Sequence, residues 1–345
     1  MSLRSEIHEQ PRVLARLLKN SMGAIQDMAE EIRSKDITYV FLAARGTSDN
    51  AGLYAKYLWG AFNRLPIALA APSLFSLYGS PPNLKNALVL GISQSGQSPD
   101  IVRVVEEGRR QRMPTMAITN DPASPLSEAA EYVISLDSSA EEAVAATKTY
   151  TAQLMAVAMF SVALEGDTGR GRDLERVQEW VEQALEQEDR IKSTAEQYRK
   201  MAQCFVLGRG YNYATAFEWA LKLKELAYVM ASPYSSADFQ HGPSAVLSTS
   251  FPVLAVVPSG ATFGQMIDLL DQLVSERNVR LLVISNEERA LKLAHTPISM
   301  PPEVPEWLTP IVSIVPAQLI SYHLARAKGI DTENPRGLQK VTLTW

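Results

Sequence analysis

Lys222 and Glu225 stand three residues apart in Ala220-Leu221-Lys222-Leu223-Lys224-Glu225, a spacing that puts both on one face of a helix. A carboxylate in such a place can act as acid and base in one turnover, moving a proton between adjacent carbons. The neighbouring ammonium would stabilise a developing oxyanion. The same spacing also describes an ordinary surface ion pair, and spacing alone does not separate the two. His241 lies in Asp238-Phe239-Gln240-His241-Gly242-Pro243, a short loop closed by Gly-Pro, where a histidine is structural or titrates near neutrality. His8 falls in the N-terminal segment, and His295 and His323 lack polar company and read as filler. Lys340 belongs to a C-terminal stretch, Asn334 to Thr342, that is polar and then extended; an exposed tail charge is the default reading.

A second group is rich in hydroxyls. Ser93-Gln94-Ser95-Gly96-Gln97-Ser98 follows an apolar run and precedes Pro99. It offers three serine hydroxyls, an amide and a glycine that lets backbone N–H groups turn inward. Ser98 as N-cap and Pro99 as first helical residue would start a helix whose positive end suits a phosphate dianion. A turn that merely caps its helix is the alternative. Thr47-Ser48, placed equivalently after the preceding apolar run, favours the phosphate reading, since two hydroxyl loops would converge. No Lys-Ser/Thr follows the glycine as in a P-loop, and Gly208-Arg209-Gly210 lacks a third glycine, with Tyr213 where one is needed. Nucleotide cofactors are disfavoured, and neither metal-ligand spacing nor a Gly-x-Ser-x-Gly elbow occurs.

The elements that position these groups alternate. Short apolar runs at Tyr39–Ala44, Pro66–Ala71, Ala87–Ile92 and Met116–Asn120 are separated by helical patterns at Ala51–Phe62 and Pro99–Arg112. Strands without polar alternation between amphipathic helices predict a parallel sheet covered on both faces. The second half repeats the order with Cys204–Leu207, Ala214–Val229, Val253–Val257, Gly264–Glu276 and Leu281–Asn286. Gly46 then matches Gly210 and Asn120 matches Asn286, at an offset of roughly 165 residues, which indicates a duplicated α/β unit. The expected organisation is an N-terminal helical segment (1–30), a first domain (31–166), a connecting helix (167–197) and a second domain (198–345). The charged connector Asp173–Ala195 reads as one helix with a solvated glutamate-rich face.

The 345 residues, 46% hydrophobic and 21% charged, are ordinary for two globular domains. A net charge of −5 argues against long nucleic acid as a partner while leaving a small phosphorylated ligand open. The one cysteine, Cys204, excludes an internal disulfide and reads as a packed core thiol rather than a reactive one. Charge appears at once in Met1-Ser2-Leu3-Arg4-Ser5-Glu6, unlike a signal peptide, and the longest apolar stretch, Leu154 to Leu164, is about half a membrane span. A cytoplasmic protein without membrane contact is expected.

Arg45-Gly46-Thr47-Ser48, Ser93-Gln94-Ser95-Gly96, Ala145-Ala146-Thr147-Lys148, Leu221-Lys222-Leu223-Lys224-Glu225 and His241-Gly242-Pro243 occur in one order. Together they resemble the isomerase half of glucosamine-6-phosphate synthase, built from two sugar isomerase (SIS) domains, and the likeness runs from Glu6 through Lys340. The resemblance implies an α/β fold of two tandem SIS domains, each a parallel sheet flanked by helices on both faces. It implies a phosphorylated hexose or amino sugar as ligand and no cofactor. By the same resemblance Ser48, Ser93, Gln94, Ser95 and Ser98 would bind phosphate, with Thr47 and Val144 contacting the sugar. Glu225 would be the base between C1 and C2, and Lys222 and Lys340 would lie near the carbonyl, Lys340 forming an imine with the ketose. His241 would open the ring in the neighbouring subunit's site, which implies a homodimer.

Departures bear on the substrate. Ala146 stands where the synthase has serine, Gln97 where it has glutamate, and Trp345 ends a tail that is usually acidic. No glutaminase domain with its terminal cysteine is present in these 345 residues, so the expected reaction is the reverse one, deamination of glucosamine 6-phosphate to fructose 6-phosphate. The alternatives are a ketose/aldose isomerase or deglycase on another sugar phosphate, a synthase subunit fed by a separate glutaminase, and a sugar-phosphate sensor without turnover.

Overall fold

The computed structural model describes residues 2–340. Val341 and Thr342 of the extended tail, and Trp345, lie outside the described residues. The chain divides into two compact units, one comprising Arg12–Glu141, Lys148–Arg176 and the tail from Gln339, the other Met1–Pro11, Glu142–Thr147 and Val177–Leu338.

In the first unit, β1 (Tyr39–Ala43), β2 (Ile67–Leu69), β3 (Ala87–Ile92), β4 (Thr115–Thr119) and β5 (Tyr132–Ser135) form a parallel sheet ordered β2-β1-β3-β4-β5. In the second, β6 (Gln203–Gly208), β7 (Met230–Ser235), β8 (Pro252–Val256), β9 (Arg280–Ser285) and β10 (Thr296–Ser299) repeat that order as β7-β6-β8-β9-β10. The apolar runs became strands because each central strand is covered on both faces: every residue of β3 is buried, as is every residue of β4. Val89 of β3 and Ala117 of β4 pack against Val104 and Val105 of the following helix. Phe205, Val253 and Val283 do the same with Leu270 in the second unit, where Phe205 and Phe239 meet edge to face at 5.0 Å. The duplication also holds in the turns, because Gly46 (φ 53°) and Gly210 (φ 59°) both turn left-handed just after the first strand of their sheets.

In each sheet the order reverses beside the first strand, so the loops leaving β1 and β3 open a crevice between them, the usual ligand position of doubly wound sheets. The helix expected from Ala51 starts earlier, at Thr47, which makes Gly46 its N-cap and places Thr47 and Ser48 in its first turn. The helix after β3 runs Pro99–Arg110, and that after β8 runs Phe263–Arg277. The stretch Glu306–Ala327, which contains helix Thr309–Ala327, is apolar and long enough by composition to cross a bilayer, yet 94% of its apolar window is buried inside the protein. Cys204 is buried, and desolvation pushes its thiol up to about 12, so it is the packed core thiol expected.

Two expectations need correction. The connector is two helices, Thr168–Leu185 and Glu188–Gln197, and its charge is not wholly solvated. Glu188 is buried, with Arg4 donating to both oxygens at 2.7 Å, His8 at 2.9 Å and His323 at 2.9 Å. His323 therefore has polar company supplied by a residue distant in sequence, and His295 Nδ1 accepts from the Leu281 N–H. Burial alone would raise the Glu188 carboxyl, but its bonds from Arg4, His323 and His8 hold it down at about 2. A carboxyl depressed in the folded state stabilises above its unfolded value and loses that contribution as pH falls. The stability gap between wild type and Glu188→Gln, followed by urea melts, should close as pH falls from 4.5 toward about 2.

Candidate active site

In the first unit the two hydroxyl loops are drawn together at the carboxyl ends of β1 and β3. Arg45, from the β1 loop, contacts the buried Asp100 at the start of helix Pro99–Arg110 (Nε to Oδ2 2.9 Å, Nη2 to Oδ2 2.8 Å). Burial pushes the nearby Asp49 carboxyl up, and Arg45 opposes that shift. The loop after β3 is tied to the end of β4: Ser93 N–H donates to Ile118 C=O, and Gln94 C=O accepts from Asn120 N–H at 3.0 Å.

The serine hydroxyls here share one property. Ser93 Oγ accepts from Gly96 N–H (3.1 Å), Ser95 Oγ accepts from Gln97 N–H (3.3 Å), and Ser48 Oγ accepts from Gln153 Nε2 (3.0 Å). A hydroxyl whose lone pair is occupied by an N–H has its own proton to donate. Three such hydroxyls make a donor set for an anion. The expectation that backbone N–H groups would face the ligand is thus partly replaced, since those of Gly96 and Gln97 serve the loop itself. Ser98 is the N-cap as expected, but its half-buried side chain makes no capping hydrogen bond. Gly96 has φ 63°, and a Cβ there would meet Ser124 Oγ at 2.1 Å. Gly96→Ala should therefore displace the loop, abolish stabilisation by phosphorylated ligands in a thermal shift assay, and itself lower Tm by several degrees.

In the second unit, helix Tyr213–Ala227 carries the acid–base candidates. Its start is fixed by Asn212, which donates to Thr309 Oγ1 (2.7 Å) and accepts from Thr215 and Ser313 hydroxyls. Its end is a left-handed Tyr228 (φ 52°) whose hydroxyl accepts from Arg336 N–H at 2.7 Å, anchoring the C-terminal segment to the helix that bears Lys222. Lys222 is 1% exposed, with Nζ 2.5 Å from Glu225 Oε2 and 3.3 Å from Glu218 Oε1. The surface ion pair allowed by the spacing is thus replaced by a buried triad whose open end is Glu225, 21% exposed. Burial alone would lower the Lys222 ammonium, but Glu218 and Glu225 outweigh it and hold it well above its ordinary value. Lys222 is a fixed cation. Glu218 escaped the sequence reading; the signal available was its i,i+4 spacing to Lys222 on the same helix.

His241 ends the helix Ser236–Gln240 and is exposed, its N–H bonded to Asp238 C=O. Val144 lies half-buried in a stretch that the buried Glu6 carboxylate holds by accepting from Glu142 N–H (2.6 Å) and Ala143 N–H (3.3 Å). Lys340, 25% exposed, is paired with Glu141 at 2.9 Å and is no free tail charge. In the second unit the loop equivalent to Ser93–Ser98 follows β8. There the Glu306 carboxylate accepts from Ala261 N–H (2.8 Å), and a Cβ on Gly260 would meet it at 2.2 Å.

Two parallel sheets of one order, with a donor-lined loop at the switch point of the first, define a duplicated doubly wound α/β protein. The family model for the SIS domain matches residues 32–163 and 197–327, and the chain belongs to that family. It is 33% identical to a glutamine–fructose-6-phosphate aminotransferase (isomerizing) of Thermococcus kodakarensis, and 34% identical to that of Methanothermobacter thermautotrophicus. Each match covers 97% of this chain and 56% of the relative, so the chain spans little more than half the length of these relatives. The C-terminal domain of the glucosamine-fructose-6-phosphate aminotransferase from Francisella tularensis superimposes with a TM-score of 0.88 at 28% identity, over 96% of this chain and 98% of that one. The homology is therefore to the isomerase half of these aminotransferases.

Proposed function

We propose that this chain isomerises a hexose 6-phosphate by proton transfer between C1 and C2, running in the direction that hydrolyses glucosamine 6-phosphate to fructose 6-phosphate and ammonia. The observation that carries the reading is the Glu225 carboxylate held at 2.5 Å on the buried Lys222 ammonium. Glu225 takes the proton from one carbon and returns it to the other, while Lys222 offsets the negative charge on oxygen. Ser48, Ser93, Ser95 and Ser98, with Gln94, bind the phosphate, and Thr47 and the Val144 backbone meet the sugar. Lys340 acts at the sugar carbonyl, forming an imine with the ketose.

His241 opens the ring, and in this reading it serves the site of a second copy in a homodimer. Mixing Glu225→Gln with His241→Ala subunits should then restore about a quarter of wild-type turnover, since half the dimers would carry one intact site. No recovery after verified exchange would remove the shared-site feature.

The direct test is incubation with glucosamine 6-phosphate, following ammonia and fructose 6-phosphate. Both products from wild type support deamination. A second reading, amination of fructose 6-phosphate, is favoured by the names of the relatives at 33% and 34% identity. Glucosamine 6-phosphate formed from fructose 6-phosphate and ammonium, with no deamination under matched conditions, would select it. Binding without turnover of either sugar would defeat both.

A further inference from the structure

Glu141 belongs to none of the groups assigned above, yet it grips one of them. Its side chain is fully buried, with Oε2 2.9 Å from Lys340 Nζ. Thr149, in the first turn of helix Lys148–Glu165, holds both of its oxygens, N–H to Oε1 at 3.2 Å and Oγ1 to Oε2 at 2.7 Å. The approach to Glu141 is itself fixed: Asp137 (φ 46°) and Ser139 (φ 55°) are left-handed, and Ser138 donates its N–H and its hydroxyl to Asn120 Oδ1. Burying a carboxylate is costly unless it is hydrogen-bonded and paired. Thr149 and the positive end of its helix meet part of that need, as an ordinary helix cap would. Capping does not require a lysine from the far end of the chain. A lysine near a terminus, in turn, has no defined position unless something buried holds it.

We propose that Glu141 is the positioning residue for Lys340, fixing its amino group and taking the proton that this group must shed before it can add to a carbonyl. The inference rests on the reading of Lys340 given above. The Lys340 ammonium passes a proton to Glu141 Oε2, and the freed lone pair forms the C–N bond as the carbonyl π pair moves to oxygen. That oxygen leaves as water with two protons, one shifted from nitrogen and one returned by Glu141. A protonated imine remains, and Glu141 is again a carboxylate, so atoms and charge balance.

The test compares wild type with Lys340→Ala, Glu141→Gln, Glu141→Asp and Thr149→Val. It reads kcat, KM, Tm and the rate at which limiting acetic anhydride acetylates Lys340. Glutamine keeps an oxygen for Thr149 and loses the charge. Glu141→Gln should cut kcat about 100-fold with KM within about twofold, and Lys340 should be acetylated several times faster. Aspartate should recover part of kcat. Thr149→Val, which leaves the carboxylate in place, should give a smaller loss of the same kind even if Glu141→Gln fails to fold. Undiminished kcat in Glu141→Gln with a slow Lys340→Ala would overturn this proposal alone. Full turnover by Lys340→Ala would overturn the functional reading of Lys340 and the proposal together.

Discussion

Glu225→Gln is expected to lower kcat about a thousandfold and leave KM within about threefold. The amide is nearly isosteric and can still meet Lys222, so packing around the 2.5 Å contact should survive. What it lacks is the capacity to hold a carbon-derived proton. Because Glu225 is 21% exposed while Glu218 is sealed, only Glu225 of the two carboxylates on Lys222 can meet a ligand. In the proposed reading the phosphate is held by other residues, so ground-state binding should persist. Steady-state kinetics together with ligand-induced thermal shifts make the check. A variant retaining a tenth of wild-type kcat would exclude Glu225 as the base.

Lys222→Met should be the most destabilising single change in the candidate site, by about 3–5 kcal/mol near neutral pH, because it leaves a buried carboxylate without its cation. Lys222 lies 3.3 Å from the fully buried Glu218, so its loss removes that cation and leaves the carboxylate close to a second one. The sign with pH is opposite to that of the Glu188 cluster. In wild type the Lys222 ammonium is held above its unfolded value, so its contribution is present across the neutral range and lost only at strongly alkaline pH. In the variant two carboxylates compete in a dry site, and one takes up a proton more readily than it would when unfolded. The variant should therefore regain stability as pH falls from 8 toward 5, narrowing its gap to wild type. Chemical denaturation at several pH values measures this, and a gap independent of pH would show that Lys222 does not hold the two carboxylates in their charged form.

The sheet cores were legible in the amino-acid sequence because a parallel strand buried on both faces has no polar alternation. Ala87–Ile92 and Cys204–Leu207 announced themselves for that reason. The edges were not. β7 carries Pro233 inside Met230–Ser235, which argues against a strand by local rules and is tolerated at an edge. β5 and β10 are four residues each with half their side chains only partly buried, too short a pattern to separate from loop. The same distinction runs through the candidate site. Ser93–Ser98 and Lys222–Glu225 are contiguous, so spacing alone could display them. Glu141 meets a partner 199 positions away, and His323 one 135 positions away. Nothing local marks such pairs, and His323 was misread for that reason.

Glu306 gives the duplication an asymmetry with a kinetic meaning. In the second unit its carboxylate sits on the Ala261 N–H, in the loop that corresponds to Ser93–Ser98. A side chain delivered by its own backbone behaves as a competitor at an effective concentration on the order of millimolar or more, and dilution cannot lower it. A free phosphate ester arriving from solution would have to outcompete that carboxylate at the second loop, whereas in the first the Gly96 and Gln97 N–H groups are taken by the loop's own neutral Ser93 and Ser95 hydroxyls. In the copied loop a negative charge of the polypeptide's own already occupies that N–H, and its sister carries no carboxylate on the Gly96 and Gln97 N–H groups.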